Sequence, residues 1–247
     1  MTKRSLRWSE EVCVLEGPDL VEAALDASAE FEGIYVAASA VSRFAALLAR
    51  AEDVGVRVFT LEEGVVEKVA DATTPQPLLA AVRLNIVELD SLPPEGTVIV
   101  LHEVRDPGNV GTIIRSADAS GASVVIITGS SVDPYNPKTL RATAGSVFHL
   151  PVVVEPSLEA ALAWFHGGGG TSYATVVRGG TNLDDIDLGP THLLIVGNEA
   201  EGLSADDASL ATEQLTIPMS GRAESLNVSI AAALTLFAGQ RARHQGR

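Results

Sequence analysis

The sequence predicts an α/β protein in two parts, a small α/β unit in front and a larger parallel-sheet domain behind it. Three observations lead there. After residue 97, short apolar runs alternate regularly with helical patterns, and strands separated by helices assemble into a parallel sheet with helices on both faces. Hydrophobic residues make up 46% of the 247 but aromatics only 4%, so the core is built mainly of Ala, Val, Leu and Ile. Between the parts, Asp90-Ser91-Leu92-Pro93-Pro94-Glu95-Gly96 breaks helix and strand alike, because proline fixes φ and lacks the amide donor. The expected boundaries are 1–90 for the front domain, 91–96 for the linker and 97–247 for the second domain.

In the front part, Pro18-Asp19 opens a helical pattern through Leu20, Val21, Ala24 and Leu25. Ile34–Ala37 is a short buried strand, 41–51 a helix, and 54–59 alternates as a strand does. Residues 61–70 read as a helix, with Glu62 and Glu63 suiting its first turn. Residues 78–87 form a strand pattern bounded by Thr73-Thr74-Pro75-Gln76-Pro77. In the second part the expected strands are 97–101, 123–128, 149–154, 173–177, 193–196 and 214–217. The expected helices are 109–119, 137–143, 158–166 and about 226–241. Ligands of such sheets bind beyond the carboxyl ends of the strands, where the strand order reverses.

Composition excludes several classes. No uncharged apolar run of about 18 residues suggests a transmembrane helix. Met1–Glu11 is polar and lacks the apolar stretch of a signal peptide, so a cytoplasmic protein with no membrane partner is expected. One cysteine, Cys13, and five scattered histidines give no metal-ligand spacing, so no metal is expected. The net charge of −15 opposes nucleic-acid binding through a global field. Residues 1–90 hold 8 basic and 16 acidic side chains, and residues 91–247 hold 9 and 16. Any RNA contact must rest on local groups, for which Lys3, Arg4, Arg7, Arg115, Lys138, Arg141, Arg222, Arg241, Arg243 and Arg247 are the candidates. The charge also leaves room for a small-molecule α/β enzyme.

His166 followed by Gly167–Gly170 resembles a lipase oxyanion loop, but no Gly-x-Ser-x-Gly elbow accompanies it, so the glycines read as a helix-to-strand loop. Neither a dinucleotide fingerprint nor a Walker loop occurs. His102, at a strand end, is either close to a site or a satisfied structural residue.

Three segments stand out. Asn109-Val110-Gly111-Thr112-Ile113-Ile114-Arg115 opens a helix, where Asn109 is an N-cap or a site residue and Arg115 a surface charge or a catalytic one. Leu194-Ile195-Val196-Gly197-Asn198-Glu199-Ala200-Glu201-Gly202-Leu203 leaves a strand end. Ile217-Pro218-Met219-Ser220-Gly221-Arg222-Ala223-Glu224-Ser225-Leu226-Asn227-Val228-Ser229 runs from a strand to the mouth of a small-residue helix. In this order the three resemble the motifs of the SpoU/TrmH-type RNA ribose 2′-O-methyltransferases of the SPOUT superfamily. The likeness spans most of residues 96–243. Residues 11–90, through Glu16–Ala23 and Gln76–Val82, more loosely resemble the substrate-binding domain of the ribosomal-RNA members.

The resemblance implies a Rossmann-like catalytic domain with a C-terminal trefoil knot, preceded by a ribosomal-protein-L30e-like domain. It implies S-adenosylmethionine as cofactor, held by Gly197, Ile217 and Leu226 with Asn198 and Pro218 as neighbours. It implies Arg115 as the central catalytic group, with Asn109, Glu199, Ser225 and Asn227 orienting the reactants. A homodimer through the motif-one helix and the C-terminal helix, and RNA as substrate, follow from the same likeness. Ribosomal RNA of the 23S type is the first expectation; transfer RNA, or a non-catalytic ribosome-assembly role, are the alternatives.

Overall fold

A computed structural model describes residues 3–69 and 75–245. Ala70, Thr73, Thr74 and Arg247, which enter the sequence reading, lie outside the described residues. The chain divides into two compact units: residues up to Asn85 together with Tyr135–His149, and Ile86–Pro134 together with Leu150 onward.

The first unit carries a four-stranded sheet. Its strands are β1 (Val12–Glu16), β2 (Phe31–Ala37), β3 (Val58–Leu61) and β4 (Leu78–Arg83), in the order β1-β4-β2-β3. β4 is antiparallel to both neighbours, and β2 and β3 are parallel. Helices α1 (Arg4–Glu10), α2 (Pro18–Asp26), α3 (Ala45–Asp53) and α4 (Val65–Val69) complete the front segment. Leu15, Ile34, Val36, Leu78, Ala80 and Val82 are fully buried, and α2 packs on β1 and β4 while α3 packs on β3. Pro18 starts α2 at its first position, where a missing amide costs nothing. β3 begins later than the alternation from Val54 predicts. Gly55, at φ +85, ends α3 as the amides of Gly55 and Val56 return to the carbonyls of Glu52 and Ala51, a left-handed helix stop that uses residues 54–57 before a strand can form.

Residues 135–149 depart from the expected contiguous second domain. Asn136 caps helix α6 (Pro137–Thr143) by accepting from the amide of Lys138 at 2.9 Å. Arg141 Nη1 of that helix donates to Glu16 Oε2 at 3.0 Å. A Cβ on Gly145 would lie 2.6 Å from Cβ of Ala23, and Tyr135 donates its hydroxyl to the Asn85 carbonyl at 2.6 Å. These partners all come from the front segment, so the insertion folds with it.

The second unit is a seven-stranded, wholly parallel sheet. β5 (Thr97–His102), β6 (Val124–Thr128), β7 (Val152–Val154), β8 (Thr171–Thr175), β9 (Thr181–Asn182), β10 (His192–Val196) and β11 (Glu213–Thr216) run in the order β7-β6-β5-β10-β8-β11-β9. The helices are α5 (Pro107–Ser120), α7 (Leu158–His166), α8 (Ala205–Ser209) and α9 (Val228–Gln245). Val98, Val100, Val124, Ile126, Leu193 and Ile195 cluster with Leu158, Ala161, Leu162 and Phe165 of α7. The alternate residues Ile99, Leu101, Val125 and Leu194 are equally buried, and α9 packs on β5, β10 and α5. The sheet therefore reads as continuous apolar runs, as strands covered on both faces must.

The stretch expected as a linker is packed. Leu92 lies against the α7 cluster, and Trp164 Nε1 donates to its carbonyl at 3.2 Å; Val87 and Leu89, expected in the front domain, pack there too. Gly168 and Gly170 fit tightly: a Cβ there would meet the Pro94 carbonyl oxygen at 2.5 Å and Phe165 Cζ at 2.4 Å. Two of the four glycines in this loop are thus a packing requirement.

Candidate active site

The strand order reverses across β5, β10 and β8, and the three motif segments leave the carboxyl ends of β5, β10 and β11. After β5, Asp106 caps α5 through Oδ1, which accepts from the Asn109 amide at 2.9 Å. After β10, the chain turns back on itself between Asn198 and Gly202, whose amides and carbonyls pair at 3.1 and 2.9 Å. A Cβ on Gly197 would stand 2.4 Å from the Gly202 carbonyl carbon, so no side chain fits there. Gly202 itself takes φ +70, where glycine is at ease.

Glu199 ties this turn to α5. Its Oε2 accepts from the Arg105 amide at 3.1 Å, and its Oε1 from the Asp106 amide at 2.9 Å and from Asn109 Nδ2 at 3.1 Å. Burial pushes the carboxyl pKa up, but these donors outweigh it and hold the group below the usual carboxylate range; hydrogen bonds to the charged form favour it. Asn109 Oδ1 in turn accepts from Asn227 Nδ2 at 3.0 Å. Asn227 Oδ1 accepts from the Ser229 amide at 2.9 Å and from Ser229 Oγ at 2.6 Å, at the start of α9. One polar chain, Glu199–Asn109–Asn227–Ser229, joins all three segments.

Beside it lies a cavity of about 150 Å³. Of the five residues expected to hold a cofactor, Gly197, Asn198, Ile217 and Leu226 line it. Pro218 does not; its neighbours Ile217 and Met219 do. The Asn198 side chain is already engaged, with Nδ2 on the Glu103 carbonyl at 2.9 Å and Oδ1 on the amides of Ala200 and Glu201 at 2.9 and 3.2 Å. It shapes the loop and offers the cavity chiefly backbone. Glu199 and Ser225, expected as catalytic, also line the cavity, whereas Asn109, Asn227 and Arg115 do not.

Sequence reasoning missed the third wall. Thr175, Val176 and Val177, at the end of β8, line the cavity. Their signal was position alone, since β8 pairs with β10 and its carboxyl end opens into the same crevice. Glu201 also faces the cavity.

Arg115 is exposed on α5 and makes no hydrogen bond or ion pair with the described residues. Several other candidate RNA contacts are spent internally. Arg7 is buried, Arg141 pairs with Glu16, and Arg243 donates to Thr97 Oγ1 and to the carbonyls of Ser120 and Gly121. Lys3, Arg4, Lys138, Arg115, Arg222 and Arg241 remain exposed. His102 is the satisfied residue of its two readings, on Thr128 Oγ1 at 2.9 Å and 3.5 Å from Asp207. Among the described residues no cluster of His, Cys, Asp or Glu is placed to hold a metal, and no helix is long and apolar enough to cross a membrane.

A parallel sheet with a ligand-sized cavity at its switch point, closed by a glycine-tight turn, defines a small-molecule-binding α/β domain. Residues 96–237 match the SpoU rRNA Methylase family, and the chain belongs to it. Residues 1–80 match the MRM3-like substrate binding domain. The 23S rRNA (guanosine(2553)-2′-O)-methyltransferase RlmP of Bacillus subtilis (strain 168) is 34% identical over 185 residues, covering 75% of this chain and 73% of that protein. The SpoU methyltransferase AviRb from Streptomyces viridochromogenes, solved with the cofactor AdoMet, is similar with a TM-score of 0.89 at 29% identity, covering 99% of this chain and 95% of that one. An AdoMet-bound rRNA methyltransferase from Sinorhizobium meliloti gives a TM-score of 0.85 at 33% identity, covering 97% and 91%.

Proposed function

We propose that this protein is an S-adenosylmethionine-dependent RNA ribose 2′-O-methyltransferase acting on 23S-type ribosomal RNA. The observation that carries the reading is the polar chain Glu199–Asn109–Asn227, which binds three separate loops into one site beside the cavity. Its fit to the cofactor rests on Gly197, where the backbone of Gly202 lies too close for any side chain. That close fit lets the turn form one wall of the cavity, with Ile217 and Leu226 as apolar surfaces for an adenine ring. The cofactor supplies an electrophilic methyl on sulfonium.

The remaining chemistry belongs to the chain. Transfer joins the methyl carbon to a ribose O2′, breaks the carbon–sulfur bond and releases the hydroxyl proton. An arginine side chain is a cation and not a proton acceptor, so the role of Arg115 is to grip an RNA phosphate and stabilise the negative charge growing on O2′. The proton leaves to water or an RNA phosphate. Glu199, anionic and held by three donors, fixes Asn109 and the start of α5. Ser225 and Asn227 place the hydroxyl, and the fixed geometry lowers the entropic barrier.

The same reading takes in the finer architecture. The loops 197–202 and 218–227 form a trefoil knot, residues up to Asn85 together with Tyr135–His149 an L30e-like substrate-binding unit, and two chains pair through α5 and α9. Support for pairing is an outward stripe on α9, where Ile230, Leu234 and Phe237 stay exposed while Ala232, Thr235 and Leu236 are buried. Light scattering tests it: Leu234→Glu should halve the particle mass.

The decisive experiment offers 23S and transfer RNA transcripts to the protein with methyl-labelled S-adenosylmethionine and maps the label. A 2′-O-methyl mark on ribosomal RNA is expected. Label on transfer RNA alone would move the substrate, and no label with either would sink the assignment.

A further inference from the structure

Among the described residues, one face of the front sheet carries exposed side chains toward its β3 edge. Ile34, Val36, Leu78 and Ala80 point to the helical side and are buried. The alternate residues Gly33, Tyr35, Ala81 and Arg83 point the other way, as do Arg57 and Phe59. On that second face α6 packs on β1, at the far edge of the β1-β4-β2-β3 order. Toward β3 the face opens: Phe59 is 39% exposed, Arg57 and Arg83 are exposed, and Tyr35 is half-buried.

An aromatic platform occupies the open end. Tyr35 and Phe59 are register partners on adjacent strands. Their rings stack with centroids 5.3 Å apart and planes 15° from parallel. Arg57 places its guanidinium carbon 5.9 Å from the Phe59 centroid. Gly33 makes the arrangement possible, since a Cβ there would come within 3.0 Å of Phe59 Cε2. A chain with only 4% aromatic residues sets two of them, stacked, on a part of the sheet left open among the described residues.

We propose that the Tyr35–Phe59–Arg57 face is a stacking platform for unpaired RNA bases. This rests on the reading of the front unit as the RNA reader, and on the match of residues 1–80 to a substrate-binding domain. Unpaired bases are recognised by stacking on aromatic rings and guanidinium planes. The charge argues for this mode over phosphate binding. Arg83 is paired with Glu32 at 2.8 Å, and Arg57 donates to the Glu32 carbonyl at 3.5 Å, so few cations here are free for phosphates. Stacking uses the π-face every base has, and works in an acidic chain where counterion release contributes little.

The test uses the full chain and a short fluorescein-labelled single-stranded oligoadenylate, with the same strand paired to oligouridylate as control. The wild type should prefer the single strand, with a log–log salt slope shallower than about −2. Phe59→Leu keeps apolar bulk over Gly33 and removes the π-face; it should weaken binding about tenfold. Phe59→Trp should restore it. S-adenosylhomocysteine affinity should be equal in all three, which also reports that the chain is folded. Equal oligoadenylate affinity of wild type and Phe59→Leu, no preference for the single strand, or a change in particle mass in place of RNA affinity would each overturn the platform. Methylation separates the two levels. Loss of the platform with 23S RNA still methylated leaves the reaction assigned, and Phe59-dependent strand binding without methylation removes the reaction while the platform stands.

Discussion

Arg115 and Gly197 illustrate opposite ways a single residue serves the site. Arg115 is exposed, unpartnered among the described residues and absent from the cavity lining. Arg115→Ala should therefore lower kcat about 10²- to 10³-fold, the scale for removing a charge-stabilising donor. Its affinity for S-adenosylhomocysteine by calorimetry should not change, and a parallel loss of affinity would place the residue in the cofactor pocket. Gly197 has no room: its Cβ would lie 2.4 Å from the carbonyl carbon of Gly202. Gly197→Ala must open the Asn198–Gly202 pairing, and at least a tenfold loss of cofactor affinity is expected with the circular dichroism spectrum unchanged. Wild-type affinity in this variant would show that the turn is not part of the cofactor wall.

At the scale of elements, helix starts hold the site together. α5 begins on Asp106, which takes the N-cap role that the sequence offered Asn109 and accepts from the Asn109 amide; α9 begins on Asn227, and the side chains of Asn109 and Asn227 are bonded to each other. An N-cap satisfies amides that have no partner within the helix. Asn227→Ala removes the cap of α9 and a partner of Asn109 at once. It should cost about 1–2 kcal/mol of stability in urea unfolding and also reduce methyl transfer. Full activity with only the stability loss would mean that the link to Asn109 is structural alone. Caps also explain which boundaries the sequence revealed. Pro137–Thr143 and Leu158–His166 fall where expected, because Asn136 and Ser157 announce their starts. Helix α1 and strand β1 were not expected. β1 is Val-Cys-Val-Leu-Glu, buried along nearly its whole length, and shows no alternation to mark it.

Across the whole molecule, a buried polar knot lies at the amino-terminal ends of β5 and β10, the end of the sheet opposite the site. His192 is fully buried, with Nε2 3.2 Å from Thr97 Oγ1 and Nδ1 3.1 Å from the Gly189 carbonyl. Burial pushes its pKa down to about 4; the Gly189 carbonyl opposes this, and the Arg243 charge adds to it. The ring is therefore neutral when folded and protonates near 6.5 when unfolded. Between those values the unfolded chain binds more protons, so stability falls as pH drops from about 6.5 to about 4 and is flat from this source below that. The full loss is on the order of 3 kcal/mol. Urea unfolding over that range should show the slope, and His192→Gln should flatten it. An equal slope in the variant would assign the acid sensitivity elsewhere.

Most strands and helices of the second part, its parallel sheet, and the three loops that meet at its carboxyl edge were legible in the sequence, because periodicity, prolines, glycines and caps act locally. Gly197, Glu199, Ser225 and Leu226 were found by motif and all line the cavity. The tertiary structure alone decided the rest. It recruited the end of β8 as a wall through strand pairing, and returned residues 135–149 to the front unit through Glu16, Ala23 and Asn85. It engaged Arg141 and Arg243 in bonds where sequence offered them to RNA. Each of these depends on which distant segments become neighbours, and a single sequence records its local chemistry but not the contacts that folding makes between residues far apart along the chain.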